Sequence, residues 1–167
     1  MYTINTATIN DVETIRQLAE ATWWPTYSPI LEKEQIRYML DLLYSAEEIE
    51  KQITTNEQTF LLLKEGDSAV AFAAYSAYKG EPAAYKLHKL YCLPQTQGKG
   101  YGRILIDNVS NIAANAGATK LLLNVNRHNN ALAFYQKMGF GIAREEDIAI
   151  GPYWMNDYIL QKPLPLS

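Results

Sequence analysis

One stretch constrains this chain more than any other: Tyr85 to Arg103, YKLHKLYCLPQTQGKGYGR. Leu and Tyr recur at alternate positions from Tyr85 to Leu93, the pattern of a strand. Pro94 has no amide hydrogen and ends the strand's pairing. Gln97-Gly98-Lys99-Gly100-Tyr101-Gly102 is a glycine-rich turn, and a helical pattern opens directly behind it. Glycine lets backbone amides approach an anion, and a helix N-terminus adds unpaired donors and a favourable dipole. Strand, turn and helix together offer a cradle for a pyrophosphate. A plain turn that caps a helix fits the same stretch taken alone. The spacing excludes two common phosphate loops. The dinucleotide fingerprint has its third glycine one position later, and the P-loop needs Gly-Lys-Ser/Thr after a four-residue gap.

A second block lies downstream. NVNRHNNALAFYQKMGF, ending at Phe140, reads as the end of a strand, an Asn-rich turn, an Ala-x-x-Phe-Tyr helix and a Gly-Phe. The loop and this block, in this order and at this separation, resemble the GCN5-related N-acetyltransferases. Three softer stretches, TYSPILEKEQIRYML, the helix start from Ser45 to Lys51 and the closing MNDYILQK, are similar to the PaiA-type polyamine acetyltransferases of that family. The resemblance implies an α/β (α+β) fold: one acyltransferase domain over residues 1–167, with a mixed, mostly antiparallel sheet of six or seven strands flanked by helices. It also implies acetyl-CoA as co-substrate, no metal, and direct transfer to a primary amine such as spermidine or spermine. Acetylation of a protein or peptide amine, and a non-catalytic acetyl-CoA-binding module, are the competing readings.

The resemblance carries roles onto particular residues. The amides of Gln97, Gly98, Lys99, Gly100, Tyr101 and Gly102 would hold the pyrophosphate, with charge from Lys99 and Arg103 outside it. The backbone of Leu90, Tyr91 and Cys92 would align the pantetheine arm. Tyr135 would protonate the leaving thiolate, a task open to a phenol of pKa about 10. Phe134 would pack beside the cofactor, and Asn129 would contact it. The turn has one residue fewer than usual before Ala131, so Asn124, Asn126 and Asn130 compete for that contact, and all suit a turn. His88 stands where the family often has a glutamate. Imidazole titrates near neutrality and could take the ammonium's proton, directly or through water; a strand histidine on a polar face is the alternative. His128 reads as a surface residue and Cys92 as a small apolar one. For a polycationic acceptor, Glu32, Glu34, Asp41 and Asp157 could supply carboxylates, and Tyr27 and Tyr38 aromatic faces. Asp157 leads, because the last strand of this fold borders the acceptor; Glu34 and Tyr27 follow.

Composition narrows the classes. A chain of 167 residues, 48% hydrophobic and 20% charged, reads as one ordinary globular domain. A net charge of -3 gives no reason to expect nucleic-acid binding. No apolar run approaches the about 20 residues of a membrane span, and the N-terminus MYTINTATIND has no signal-peptide pattern. Cys92 stands alone, which suits a reducing cytoplasm. One cysteine and two distant histidines cannot build a usual zinc site. The aromatic residues of the first third make a homodimer an option.

The remaining elements follow from periodicity. Tyr2–Thr6 reads as an edge strand. Asn10 or Asp11 is expected to cap a helix with its stripe on Val12, Ile15, Leu18, Ala19 and Thr22, ended by Trp23-Trp24-Pro25. A second helix shows Ile36, Met39, Leu40 and Leu43 on one face. Ser45-Ala46-Glu47-Glu48 is a capping box for a helix from Ala46 to about Thr54. Thr59–Lys64 and Ser68–Lys79 read as a hairpin around Glu65-Gly66-Asp67. A helix from Gly102 to Gly117, a strand over Lys120–Val125, a strand over Phe140–Ile150 with an acidic interruption, and a strand over Met155–Gln161 complete the order.

Overall fold

The structure, a computed structural model, describes residues 1–165. Its elements run β1 (Tyr2–Thr6), α1 (Val12–Tyr27), α2 (Lys33–Leu43), α3 (Ala46–Thr54), β2 (Thr59–Glu65), β3 (Ser68–Ala77), β4 (Ala84–Cys92), α4 (Tyr101–Asn115), β5 (Lys120–Asn126), α5 (Ala131–Lys137), β6 (Gly141–Ile150) and β7 (Tyr153–Pro163). Strand pairing follows the order β1-β2-β3-β4-β5-β7-β6, an open seven-stranded sheet. Four pairs, β1–β2, β2–β3, β5–β7 and β6–β7, are antiparallel, and β4–β5 is parallel. The fold is the α/β arrangement expected, a mixed sheet with helices. The chain forms two compact units. The first comprises Met1–Tyr75 and Lys89–Leu105; the second comprises Ser76–His88 and the chain from Ile106 onward.

In the first unit the core is built from strand runs buried at consecutive positions and from helix stripes. Phe60, Leu62, Leu63, Ala71, Phe72 and Ala73 from β2 and β3 are buried with Ile15, Ile36, Met39, Leu40 and Ile49 from α1 to α3. The Ser45 side chain accepts from the Glu48 amide at 3.1 Å, and α3 spans Ala46–Thr54. Two expectations are corrected here. Asp11 stands at the N-cap of α1 as expected but makes no side-chain cap bond there. The side-chain cap lies earlier, at Thr8, whose hydroxyl accepts from the Asn10 amide at 3.2 Å while the Asp11 carboxylate accepts from the Thr8 amide at 2.8 Å. The capped residues form a short 3-10 turn ahead of α1, so Asp11 closes the box from its far side.

The second correction is at Pro25, where α1 continues to Tyr27. Proline inside a helix removes one hydrogen bond and crowds the preceding turn. Two features hold the helix through it. The Thr22 and Thr26 hydroxyls donate to the Leu18 and Thr22 carbonyls, each at 2.7 Å. Trp23 and Tyr27 are buried on the far side, in a ring cluster with Tyr44, Phe72 and Tyr91. Tertiary burial of two large rings outweighs one lost backbone bond.

In the second unit β5 is buried through Leu121, Leu122, Leu123 and Val125, and β7 through Met155, Ile159 and Leu160. The acidic run Glu145-Glu146-Asp147 does not interrupt β6, which pairs with β7 through Glu145↔Tyr158, Glu146↔Asp157 and Asp147↔Asn156. β6 is exposed along almost its whole length. Its charges stay in water and are tied by Arg144 to Glu146 at 3.5 Å and Arg127 to Asp147 at 2.7 Å. Charges on an edge strand also discourage pairing with another chain.

Candidate active site

The glycine loop belongs to the first unit. A 3-10 turn over Pro94–Thr96 leads into it, with Thr96 Oγ1 bonded to the Leu93 carbonyl at 2.7 Å. Gly98 has φ 88° and Gly100 φ 79°, the left-handed region where a side chain is strained. A Cβ added to either would meet nothing within 4 Å, so backbone conformation alone demands glycine there. The amides of Gln97 and Lys99 close the turn, onto Pro94 O and Thr96 O, both at 3.1 Å. Ile104 makes the first bond of α4, to Gly100 O at 3.0 Å. The donors the loop offers are thus Gly98, Gly100 and the first turn of α4 at Tyr101 and Gly102. Gln97 and Lys99 serve the turn instead.

The loop's side chains point to a different task. Lys99 Nζ reaches Glu65 Oε2 at 2.7 Å, and the Tyr101 hydroxyl donates to the same oxygen at 2.5 Å. Glu65 lies at the end of β2, so this pair anchors the loop to the hairpin. Lys99 brings to the loop a charge already neutralised by Glu65. Arg103 is exposed on α4. Leu90, Tyr91 and Cys92 form the C-terminal end of β4. The Tyr91 and Tyr27 hydroxyls lie 2.9 Å apart, which joins a residue expected to contact cofactor to one expected to contact acceptor. Burial pushes the Cys92 thiol up to about 11, which leaves it a thiol and not a nucleophile. Glu34 is exposed on the first turn of α2. A cavity of about 710 Å³ elsewhere in this unit opens against α1 and α2, lined by Glu20, Trp24, Arg37 and Asp41 among others, and includes none of the loop.

The second unit carries the other candidates. Tyr135 is buried on α5, its ring 5.4 Å from Phe134 and 5.8 Å from Phe140. His88 Nε2 is 2.7 Å from Ser76 Oγ. The three loop asparagines have local tasks. Asn126 Oδ1 accepts from the His128 amide and Asn129 Oδ1 from the Ala131 amide, both at 2.9 Å, while Asn130 precedes α5 without a side-chain cap. The Asn129 oxygen is therefore engaged in shaping the turn, and only its amide nitrogen is left for a ligand.

Parallel rungs between β4 and β5 run from Ala84↔Lys120 to Leu87↔Leu123, and both strands continue beyond them. His88 and Asn124 are the next residues along. Asp157 is 5% exposed, and its Oδ2 accepts from Asn124 Nδ2 at 3.2 Å. Burial raises its pKa above the usual carboxylate range, against the Asn124 hydrogen bond and the charges of Lys86 and Arg127. Sequence reasoning missed Asn124 as its partner: the two stand 33 positions apart. Among the described residues no cluster of three or more His, Cys, Asp or Glu could hold a metal, and no helix is long and apolar enough to cross a membrane.

The model of the acetyltransferase (GNAT) family matches residues 15–140, three quarters of the chain. The chain belongs to this family. It is an N-acetyltransferase, and the donor of GNAT enzymes is acetyl-CoA. The loop fits that donor: open glycines at positive φ and free amides at a helix start suit a pyrophosphate. An uncharacterized N-acetyltransferase of Mycobacterium tuberculosis is 27% identical over 157 residues, covering 93% of this chain and 99% of that protein. The spermidine N(1)-acetyltransferase of Thermoplasma acidophilum is 26% identical over 161 residues, covering 95% of each. The crystal structure of PaiA N-acetyltransferase from the same organism, in complex with coenzyme A, aligns at TM-score 0.84 and 26% identity, over 98% of this chain and 99% of that one.

Proposed function

We propose that this GNAT enzyme acetylates a primary amine of a polyamine, such as spermidine or spermine, by direct transfer from acetyl-CoA. The observation that carries the cofactor half is the loop at Gly98–Gly102, where the Gly98 and Gly100 amides make no backbone hydrogen bond among the described residues. The acceptor half is supported by the likeness to a spermidine N(1)-acetyltransferase along nearly the whole of both chains, and by a buried carboxylate at Asp157.

The chemistry asks four things of the chain. Main-chain donors of the loop hold the diphosphate. An amide near Leu90 or Tyr91 polarises the thioester oxygen as it gains charge. A base takes the proton of the incoming ammonium, since only a neutral amine attacks. His88, whose Nε2 lies 2.7 Å from Ser76 Oγ, is assigned this role, directly or through water. A phenol returns a proton to the departing sulfur, and Tyr135 on α5 is the assigned donor. When bound, acetyl-CoA supplies an activated acyl group; the residues bind, orient and move protons. Tyr27 and Glu34 are assigned to the acceptor side, with Asp157.

Calorimetry with coenzyme A and a panel of amines with acetyl-CoA, read by release of free thiol, test this. The expected result is binding of coenzyme A and faster turnover of spermidine and spermine than of peptide amines. Better turnover of peptides shifts the acceptor to a protein amine. Binding without turnover of any amine makes the protein a sensor of acetyl-CoA. No association with coenzyme A refutes the assignment of the loop.

A further inference from the structure

The Asn124–Asp157 pair is half satisfied. Asn124 Nδ2 donates to Asp157 Oδ2, and this leaves Asn124 Oδ1 and Asp157 Oδ1 buried with no hydrogen-bond partner among the described residues. Buried polar atoms are rarely orphaned, and each such atom calls for an explanation. Asn124 Oδ1 is an acceptor, and so is Asp157 Oδ1 when the carboxylate is ionised, so the missing complement is a hydrogen-bond donor.

The surroundings favour an ammonium. Rung pairing places Lys86 opposite Leu122, Asn126 opposite Asp157, and Asp157 opposite Glu146. With a period of two, Lys86, His88, Asn124, Asn126, Asp157 and Glu146 then share one face of the second unit. The arginines nearby are committed elsewhere: Arg127 to Asp147 and to the Asp157 carbonyl, Arg144 to Glu146. Lys86 stands over the Tyr78 ring, 5.5 Å from its centroid, and acts on Asp157 through space. A buried carboxylate whose one side-chain partner is a neutral amide suits a cation brought from outside.

We propose that Asn124 and Asp157 form a receptor for the non-reacting ammonium of a diamine or polyamine, with Lys86 as the chain's own competing cation. The inference rests on the acetyltransferase reading for the identity of what arrives. The non-reacting end is specified by chemistry. A carboxylate holding the attacking nitrogen would stabilise its protonated form and oppose reaction, whereas a second ammonium must stay charged to be recognised. An ammonium carries three donors, enough for the two orphan oxygens. Lys86 repels this second cation, so the two residues act on binding with opposite sign.

Calorimetry with diaminobutane and with aminobutanol, which replaces one ammonium by a hydroxyl, tests this on the protein alone and saturated with coenzyme A. The native protein is expected to prefer the diamine. Asp157→Asn, of the same shape, should reduce that preference about thirtyfold or more. Lys86→Met should increase it about threefold to tenfold, a gain that no misfolded variant can give. An unchanged preference in Asp157→Asn, no preference in the native protein, or weaker diamine binding in Lys86→Met overturns the proposal. So does a crystal structure with diaminobutane in which water alone bridges the two orphan oxygens. If coenzyme A fails to bind while both substitutions act as stated, the receptor stands and the acetyltransferase reading falls; if coenzyme A binds and the preference does not move, the reverse holds.

Discussion

Lys89 gives the sharpest quantitative test of the first unit. Its ammonium lies 2.5 Å from Gln58 Oε1 and 3.4 Å from Gln52 Oε1, over the Tyr44 ring at 5.7 Å and the Phe60 ring at 5.1 Å. Burial is the dominant influence and lowers its pKa from 10.5 to about 8, with Glu48 pulling weakly the other way. Between those two values the folded protein binds fewer protons than the unfolded chain. Stability therefore rises with pH across that window, and the penalty is complete below it. At pH 7 the buried charge costs about 3 kcal/mol, and about 1.3 kcal/mol of this is relieved by pH 9. Lys89→Met keeps the unbranched stem and removes the titration. Urea unfolding of both proteins at pH 7 and pH 9 isolates the effect from every other group. The native protein should gain about 1.3 kcal/mol on the variant between the two. A gap that does not change with pH would refute the claim that burial governs this lysine.

Three further outcomes follow from the assigned roles. Tyr135→Phe should lower kcat about a hundredfold if the phenol protonates the thiolate, with coenzyme A affinity within about twofold of native; an unchanged kcat removes the role. His88→Ala should abolish the acidic limb of the kcat/KM pH profile, and a profile that keeps this limb assigns the proton to water or another residue. Gly100→Ala should cost about 1 kcal/mol of stability through its positive φ and weaken coenzyme A binding as the loop shifts. A variant with native coenzyme A affinity would show that the loop's backbone does not hold the cofactor.

Much of this architecture is written in local pattern. The Gly98 and Gly100 conformations, the Ser45 cap and the stripe of Ile36, Met39 and Leu40 each depend on residues within a turn or two of chain. So does the boundary of α3 at Ala46 and Thr54. Where local rules misled, a distant neighbour was responsible. Pro25 should end α1, yet Tyr91 and Tyr44 bury the rings that hold it. The acids of β6 should break a strand, yet pairing to β7 and the arginines beside them accommodates the charge.

The candidate site divides along the same line. A glycine's freedom and an asparagine's preference for turns are properties of a few consecutive residues, so the loop and the block before α5 could be read directly. Partnership is not such a property. Lys99 finds Glu65 across 34 positions, Lys89 finds Gln58 across 31, and Asp157 finds Asn124 across 33. A side chain's charge state depends on how much water its neighbours exclude, and those neighbours are recruited by the sheet from remote parts of the chain. Folding alone therefore made a lysine with a lowered pKa and a carboxylate with one oxygen unmatched, states that no run of consecutive residues encodes.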